Sequence, residues 1–168
     1  MSLTMHSASV PVFSRILGNM LGWLDRAEAH AQARKFDATN YLGLRLAPDM
    51  LPLVRQVQIA SDAAKACMSR LAGSEIPKWE DNEASLDELR ARIRKTLEHV
   101  QSFDAAQLAG ADSRPIVVPT RVGELHFSGE DFLKHYAMPN FYFHATTTYA
   151  LLRQAGVELG KADFLGRG

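Results

Sequence analysis

The hydrophobic pattern at the start of the chain predicts a long amphipathic helix. Apolar residues recur every three or four positions from Val10 to Ala31, which is the spacing of one face of an α-helix. Pro11 fits a first helical turn, where its missing N–H has no partner to lose. We therefore predict helix 1 from about Pro11 to about Lys35, followed by a brief helical piece that Asp37 can cap.

Two further helices follow from the same periodicity. Helix 2 begins near Asp49 and ends before Gly73, a residue type that favours helix C-termini. Residues 74–84 are polar and contain a proline, which indicates a loop. Ser85 and Glu88 then form an S-x-x-E capping box that predicts the start of helix 3.

The pattern changes to the period of a strand between Pro115 and Phe127. Two short runs of alternating or β-branched residues predict a two-stranded hairpin there. Helix 4 follows from Ser128 to Arg153, and Pro139 must kink or interrupt it.

Four amphipathic helices joined by short links can bury their apolar faces only against one another. The predicted fold is therefore all-α, an up-down four-helix bundle with a small β-hairpin inserted before the last helix. One domain is expected over residues 1–168. The tail from residue 157 onward is expected to pack loosely along the bundle.

Composition excludes several classes of function. The 19 Lys and Arg residues balance 19 Asp and Glu residues, so the chain has no excess positive charge to attract nucleic acid or an anionic membrane surface. No stretch is long and apolar enough to cross a bilayer. The single cysteine, Cys67, cannot form an intrachain disulfide. We expect a cytoplasmic protein that binds neither nucleic acid nor membrane.

A few polar residues fall on the inward faces of these helices. Asn140 and His144 lie four residues apart on helix 4 and therefore point toward the same side, one turn apart. On helix 2, Asp49 is predicted to face inward and Gln56 to lie at the edge of the buried face. A carboxylate, an imidazole and carboxamides that converge inside a helix bundle are typical of metal or small-ligand sites.

A structural interpretation of the same residues stands beside this one. A histidine within an apolar stripe is often a core residue whose nitrogens bond to neighbouring polar groups. In this interpretation Asp49 caps the helix and has no further role. His135 is a second candidate metal ligand if Pro139 changes the helical phase, and Tyr136 is a candidate ligand-binding residue.

Other polar and aromatic residues receive simpler interpretations. Arg90, Arg92 and Arg94 are expected on a solvated face of helix 3, and His30 and His99 at the solvated flanks of their helices.

Seven aromatic residues lie between positions 127 and 149. If Tyr142 and Tyr149 point outward, helix 4 and the hairpin offer a surface for a homodimer. Alternatively, these rings pack under the hairpin and the tail.

Three segments resemble a known family. They are SASVPVF (7–13), LAPDMLPLVRQVQIASDAAK (46–65) and PNFYFHATTTYALLRQAGVELGKADFLG (139–166). They are similar to a mainly bacterial family described as a domain of unknown function and grouped with the DinB/YfiT-like metal-binding four-helix bundles. The resemblance covers essentially the whole chain and implies the bundle fold derived above, with dimers common.

The resemblance also implies a metal site. DinB-like proteins bind a divalent metal, often zinc or nickel, through one histidine early in helix 2 and an H-x-x-x-H pair on the last helix, and some are thiol-dependent transferases or isomerases. His144 matches the second histidine of that pair, whereas Asn140 stands at the first and helix 2 contains no histidine. Asp49 or Gln56 is then the nearest inward polar group, and such a set would hold zinc more weakly than three imidazoles.

Two functions follow from these residues. The first is a metal-dependent small-molecule transferase, of the thiol type, or a hydrolase, in which His144 acts as metal ligand or general base and Gln56 and Asn140 support it. The second is a non-catalytic homodimeric bundle in which the inward polar residues are structural.

Overall fold

Helix α1 (Met5–Arg34) is the longest element in the computed structural model of the protein, which describes residues 3–166. Thr4 caps its start, where the hydroxyl accepts a hydrogen bond of 3.1 Å from the Ser7 N–H. The prediction that helix 1 begins near Pro11 is wrong, since Pro11 lies inside the helix. Because Pro11 has no N–H, the Ser7 carbonyl lacks its usual donor within the helix. Ser7 is exposed to water.

Pro52 sets the start of the second long helix. A 3₁₀ helix (Ala38–Gly43), capped by Asp37 as predicted, precedes it. Helix α2 (Leu53–Ala72) begins only after the extended Pro52, because a proline disfavours helical conformation in the residue before it. The prediction of a start near Asp49 is therefore wrong. The end is confirmed: Gly73 closes the helix with φ +69°.

Helix α3 (Leu86–Gln101) starts at the predicted cap. The Ser85 hydroxyl accepts a hydrogen bond of 3.1 Å from the Glu88 N–H. Strands β1 (Pro115–Thr120) and β2 (Gly123–Ser128) then form the predicted antiparallel hairpin, with register from Pro115 opposite Ser128 to Thr120 opposite Gly123.

The predicted last helix is three helical pieces. Helix α4 (Gly129–Phe132), a π-helical segment (Leu133–Ala137) and helix α5 (Met138–Gln154) follow without a break. Pro139 lies in the first turn of α5, where it cannot donate to the preceding turn, and the wider π turn accommodates it. Gly129 is required at the start of α4, because a Cβ there would lie 1.7 Å from the Ala111 carbonyl oxygen.

The C-terminal segment is fixed to α1 by specific contacts. Helix α6 (Lys161–Leu165) places the Phe164 ring in a stacked arrangement on Trp23, with centroids 5.4 Å apart. The Asn19 amide donates a hydrogen bond of 2.9 Å to the Phe164 carbonyl. The expectation that this segment packs loosely is wrong, because Phe164 packs directly on the buried Trp23.

The four long helices surround one hydrophobic core. Helix α1 packs against α3 and α5, and α2 packs against the same two helices. The mainly helical class and the hairpin ahead of the C-terminal helices are confirmed, although residues 3–166 contain six α-helices rather than four. Within this range, none of the helices has the length and apolar character of a membrane span.

Candidate functional site

His144 of α5 and Gln56 of α2 meet where these two helices pack together. The His144 Nδ1 lies 2.7 Å from the Gln56 Oε1, and both side chains are buried, with exposed fractions of 9% and 1%. The Gln56 Nε2 donates a hydrogen bond of 2.9 Å to the Leu51 carbonyl, which orients the amide. Because the amide oxygen can only accept, Nδ1 carries the ring proton.

This contact leaves the other ring nitrogen available. Nε2 of His144 has no hydrogen-bond partner within residues 3–166 and is not among the completely buried unpartnered atoms. Burial lowers the pKa of His144 below its ordinary value of 6.5, so the ring is neutral at pH 7. A neutral imidazole with a fixed tautomer and a free lone pair is a suitable proton acceptor.

Asn140 and Tyr136 line a groove beside this pair. The groove has a volume of about 260 Å³, lies between α2 and the helical segments 132–140, and has Val118 and Pro119 of β1 on one side. Asn140 lies one turn before His144 on α5, and Ile59 in the groove wall lies one turn after Gln56 on α2. The His144–Gln56 pair therefore lies one helical turn from groove residues on both α2 and α5, although neither His144 nor Gln56 lines the groove.

Arg70, which was not among the residues predicted for the site, lies at the α2 side of the groove. Its guanidinium carbon lies 5.9 Å from the centroid of the Phe132 ring. Burial lowers the pKa of Arg70, although the arginine remains charged at neutral pH. A signal for it exists, since Ile59, Ala63, Ala66 and Arg70 recur at steps of four, three and four, which is the spacing of one helical face.

Asp62 also lines the groove but has cationic partners. Its Oδ1 lies 3.0 Å from the Arg92 Nη2 and 2.6 Å from the Lys65 Nζ. The carboxylate is therefore already compensated on the side facing α3.

The expectation of solvated arginines on helix 3 is wrong for Arg90 and Arg92. Both are buried, each with an exposed fraction of 4%. Arg90 pairs with three carboxylates, those of Asp25, Glu28 and Asp87, and Arg92 pairs with Asp62, Asp81 and Glu83. Three carboxylates offset the desolvation of each guanidinium, which periodicity alone does not reveal.

Two predicted metal ligands lie away from His144. Asp49 is exposed in the turn before α2, so the prediction that it faces inward on helix 2 is wrong. His135 is exposed on the π-helical segment, 4.0 Å from the Asp131 carboxylate. The structure brings His144 together with Gln56, and Asn140 together with Tyr136. Neither Asp49 nor His135 joins these residues.

Two other histidines are more enclosed than predicted. His99 lies 3.0 Å from the Ser69 hydroxyl, between the rings of Trp79 and Phe103. The Nδ1 of His30 lies 2.5 Å from the Tyr41 hydroxyl. Their partners include residues outside their own helices, which the periodicity of one helix does not reveal. The expectation that His30 and His99 lie at solvated helix flanks is therefore wrong.

The donor set at His144 does not fit a zinc or nickel ion. Within residues 3–166, no three His, Cys, Asp or Glu side chains converge as a metal-binding group. His144 faces a carboxamide that already accepts its ring proton, whereas zinc sites are built from several imidazole, thiolate or carboxylate ligands. The divalent metal therefore stays a prediction.

Comparison with known proteins agrees with this fold. No curated protein matches the chain. A crystal structure described as a DinB family member protein from Shewanella denitrificans is similar, with a TM-score of 0.91 and 42% sequence identity over 96% of this chain and 92% of that chain. The family model "Domain of unknown function (DUF1993)" matches residues 5–165. The fold, the helix pattern and this match together mean that the chain belongs to the DUF1993 family.

Proposed function

We propose that this protein is a small-molecule transferase or hydrolase in which His144 acts as a general base. The observation that carries the proposal is the hydrogen bond of 2.7 Å from the His144 Nδ1 to the Gln56 Oε1. This bond fixes the tautomer and leaves the Nε2 lone pair without a protein partner within residues 3–166. The adjacent groove, with Asn140 and Tyr136, is the binding site for the small molecule.

The proposed chemistry is proton removal from a bound thiol or water. Nε2 of His144 accepts the proton as the sulfur or oxygen attacks an electrophilic carbon of the second reactant. The resulting imidazolium keeps its Nδ1–H bond to Gln56, whose carbonyl dipole stabilises the positive charge. The bond between that carbon and its leaving group breaks, and the proton passes from Nε2 to the leaving group, which restores the neutral ring.

The proposal includes the arrangement of the helices. The contacts of α1 and α2, each with α3 and α5, support a DinB-like four-helix bundle. In the metal-dependent version of the function, a divalent ion would bind the Nε2 of His144, and this nitrogen would be its one imidazole ligand. Because that donor set does not fit zinc or nickel, we favour the metal-independent base.

The alternative is a non-catalytic homodimer, and one observation favours it. The hairpin exposes the apolar side chains of Val117, Val122 and Leu125, and α5 exposes Phe143. However, Tyr149 packs against Trp23 and Phe164 instead of pointing outward. Light scattering at tens of micromolar tests this alternative, since a monomeric mass would exclude a stable dimer.

Acylation by diethyl pyrocarbonate, mapped by mass spectrometry, tests the proposed base. We expect the His144 Nε2 to react in the folded protein, since the nitrogen has a free lone pair. The exposed His126 and His135 are internal references for full reactivity, with side chains 69% and 71% exposed. If both references react and His144 stays unmodified, Nε2 is not available and the non-catalytic alternative is favoured.

A further inference from the structure

We propose that the groove between α2 and α5 binds a small carboxylate of charge −1, held by Arg70 and assisted by Tyr136 and Asn140. The inference rests on the proposed function, because it names the chemical class of the molecule that His144 acts upon. It is carried by a separate set of residues, so binding and proton transfer can be measured independently.

Arg70 differs from Arg90, Arg92 and Arg55, all of which pair with carboxylates. Arg114 is also partly buried and has no carboxylate partner among residues 3–166, but it does not line the groove. Arg90 and Arg92 each contact three carboxylates, and Arg55 pairs with Asp81. Arg70 is half-buried, yet no carboxylate lies within ion-pair distance of it among residues 3–166. A guanidinium removed from water without a counterion is costly, and a bound carboxylate would supply one in bidentate geometry.

Two neutral polar groups line the same groove and also have no protein partner. Neither the Tyr136 hydroxyl nor the Asn140 amide forms a hydrogen bond within the described part of the chain, and neither is sealed from solvent. Tyr136 lies on the π-helical segment, and π turns within helices are frequent at functional sites. Three unpartnered polar side chains in one cavity are the arrangement expected of a ligand site.

The surroundings select the charge and size of the ligand. Asp62 lines the groove together with the single cation Arg70, so a doubly charged phosphate would meet a carboxylate as well as a guanidinium. The remaining walls are apolar and include Ile59, Val118 and Phe132. A volume of about 260 Å³ lies below the range of about 300–1,000 Å³ typical of drug-sized sites. A molecule of the size of benzoate fits these conditions.

Calorimetric titration with benzoate tests the inference on the full-length protein. We expect saturable binding with a dissociation constant on the order of 1 mM or tighter. Benzamide, which has the same shape without the charge, and inorganic phosphate should each bind at least about tenfold more weakly.

Substitutions at Arg70 identify the site. Arg70→Gln should weaken benzoate binding at least about tenfold, and Arg70→Lys, which keeps the charge but not the planar fork, should weaken it by a smaller factor. Arg94→Gln is the matched control, since Arg94 is an exposed arginine on α3 outside the groove, and it should leave binding unchanged. Far-ultraviolet circular dichroism shows whether each variant is folded. If Arg70→Gln does not fold, the weaker binding expected of Arg70→Lys still tests the site.

Three results would overturn the inference: no benzoate binding up to about 20 mM, binding that Arg70→Lys and Arg70→Gln leave unchanged, or equal binding of phosphate or benzamide. Acylation of His144 reports separately on the proposed base. If His144 reacts but benzoate does not bind, the ligand class is wrong and the base survives. If benzoate binds through Arg70 but His144 does not react, the groove is a binding site without that chemistry.

Discussion

The guanidinium of Arg92 on α3 lies 3.0 Å from the carboxylate of Asp62 on α2, with Nη2 and Oδ1 in contact. Arg92 also binds Asp81 and Glu83 at 2.9 and 2.8 Å, so it fixes the loop 74–84 to both helices. Since Asp62 and Arg70 both line the groove, the position of this groove wall depends on Arg92.

Replacing Arg92 by Met should destabilise the protein strongly. The Arg92 side chain is 2% exposed, and its removal leaves three carboxylates near one another without their shared cation. Removing one partner of a buried ion pair costs about 3–5 kcal/mol. We expect a somewhat smaller loss of about 2–4 kcal/mol, because Asp62 and Asp81 are partly solvated.

Urea unfolding at neutral pH measures this loss. Arg94→Met provides the control on the same helix, because Arg94 is exposed and its substitution should change the free energy of unfolding by no more than about 0.5 kcal/mol. Equal stability of Arg92→Met and Arg94→Met would mean that the network contributes nothing to folding.

The same network predicts a loss of stability in acid. Burial raises the pKa of Asp81 and of Glu83. Hydrogen bonds and charges from Arg55 and Arg92 outweigh this effect at Asp81, and the hydrogen bond and charge of Arg92 together with a hydrogen bond from Gln58 outweigh it at Glu83. The two pKa values therefore lie below their ordinary values of 3.8 and 4.5. A depressed pKa means that the unfolded state binds protons more readily. The stabilisation is therefore present above about pH 4.5 and is lost as the pH falls through the lower pKa values of the folded state.

Urea unfolding between pH 7 and pH 3 checks this dependence. The free energy of unfolding should fall over the acidic part of this range in the wild type. In Arg92→Met the fall should be shallower, since the two carboxylates then lose a main cause of their depressed pKa. An identical slope in both proteins would assign the acid sensitivity to other groups.

The sequence allowed the elements to be predicted where local signals decide them. Gly73, Ser85 and the alternating run from residue 115 set a helix end, a helix start and the hairpin, and all three are confirmed. The start of α2 was misplaced because the effect of Pro52 on the preceding residue outweighs the capping preference of Asp49.

The candidate site was only partly predictable, because half of it depends on contacts between helices. The inward direction of His144 and the position of Gln56 follow from helical phase, and their bond joins residues 88 positions apart. Arg70 and the buried Arg92 were missed because charged residues on a helix face are normally solvated. Only the arrangement of carboxylates in three dimensions distinguishes the buried arginines from Arg94.

Gln56 is predicted to control both the tautomer and the stability of the His144 environment. Gln56→Leu removes the acceptor of the Nδ1–H, which leaves a buried donor unsatisfied at a cost of about 1–3 kcal/mol. Nitrogen chemical shifts of the imidazole should show Nδ1–H in the wild type and a mixture of tautomers in the variant. Gln154→Leu, at an exposed position near the end of α5, is the control.

A pH titration of the same signals tests the burial of His144. Its pKa should lie below 6.5. Because the unfolded state binds this proton more readily, His144 contributes stability above about pH 6.5 that is lost as the pH falls through its lower folded value. An Nε2–H tautomer in the wild type would contradict the proposed base.

Metal content separates the two versions of the function. We expect protein prepared without a chelator or a histidine tag to hold less than about 0.1 equivalent of zinc or nickel, because one imidazole and a carboxamide form a weak donor set. His144→Phe should then have the same metal content as the wild type. Binding of about one equivalent that His144→Phe abolishes would reverse this conclusion, since it would require ligands to join His144 in solution and would restore the metal-dependent transferase as the better proposal.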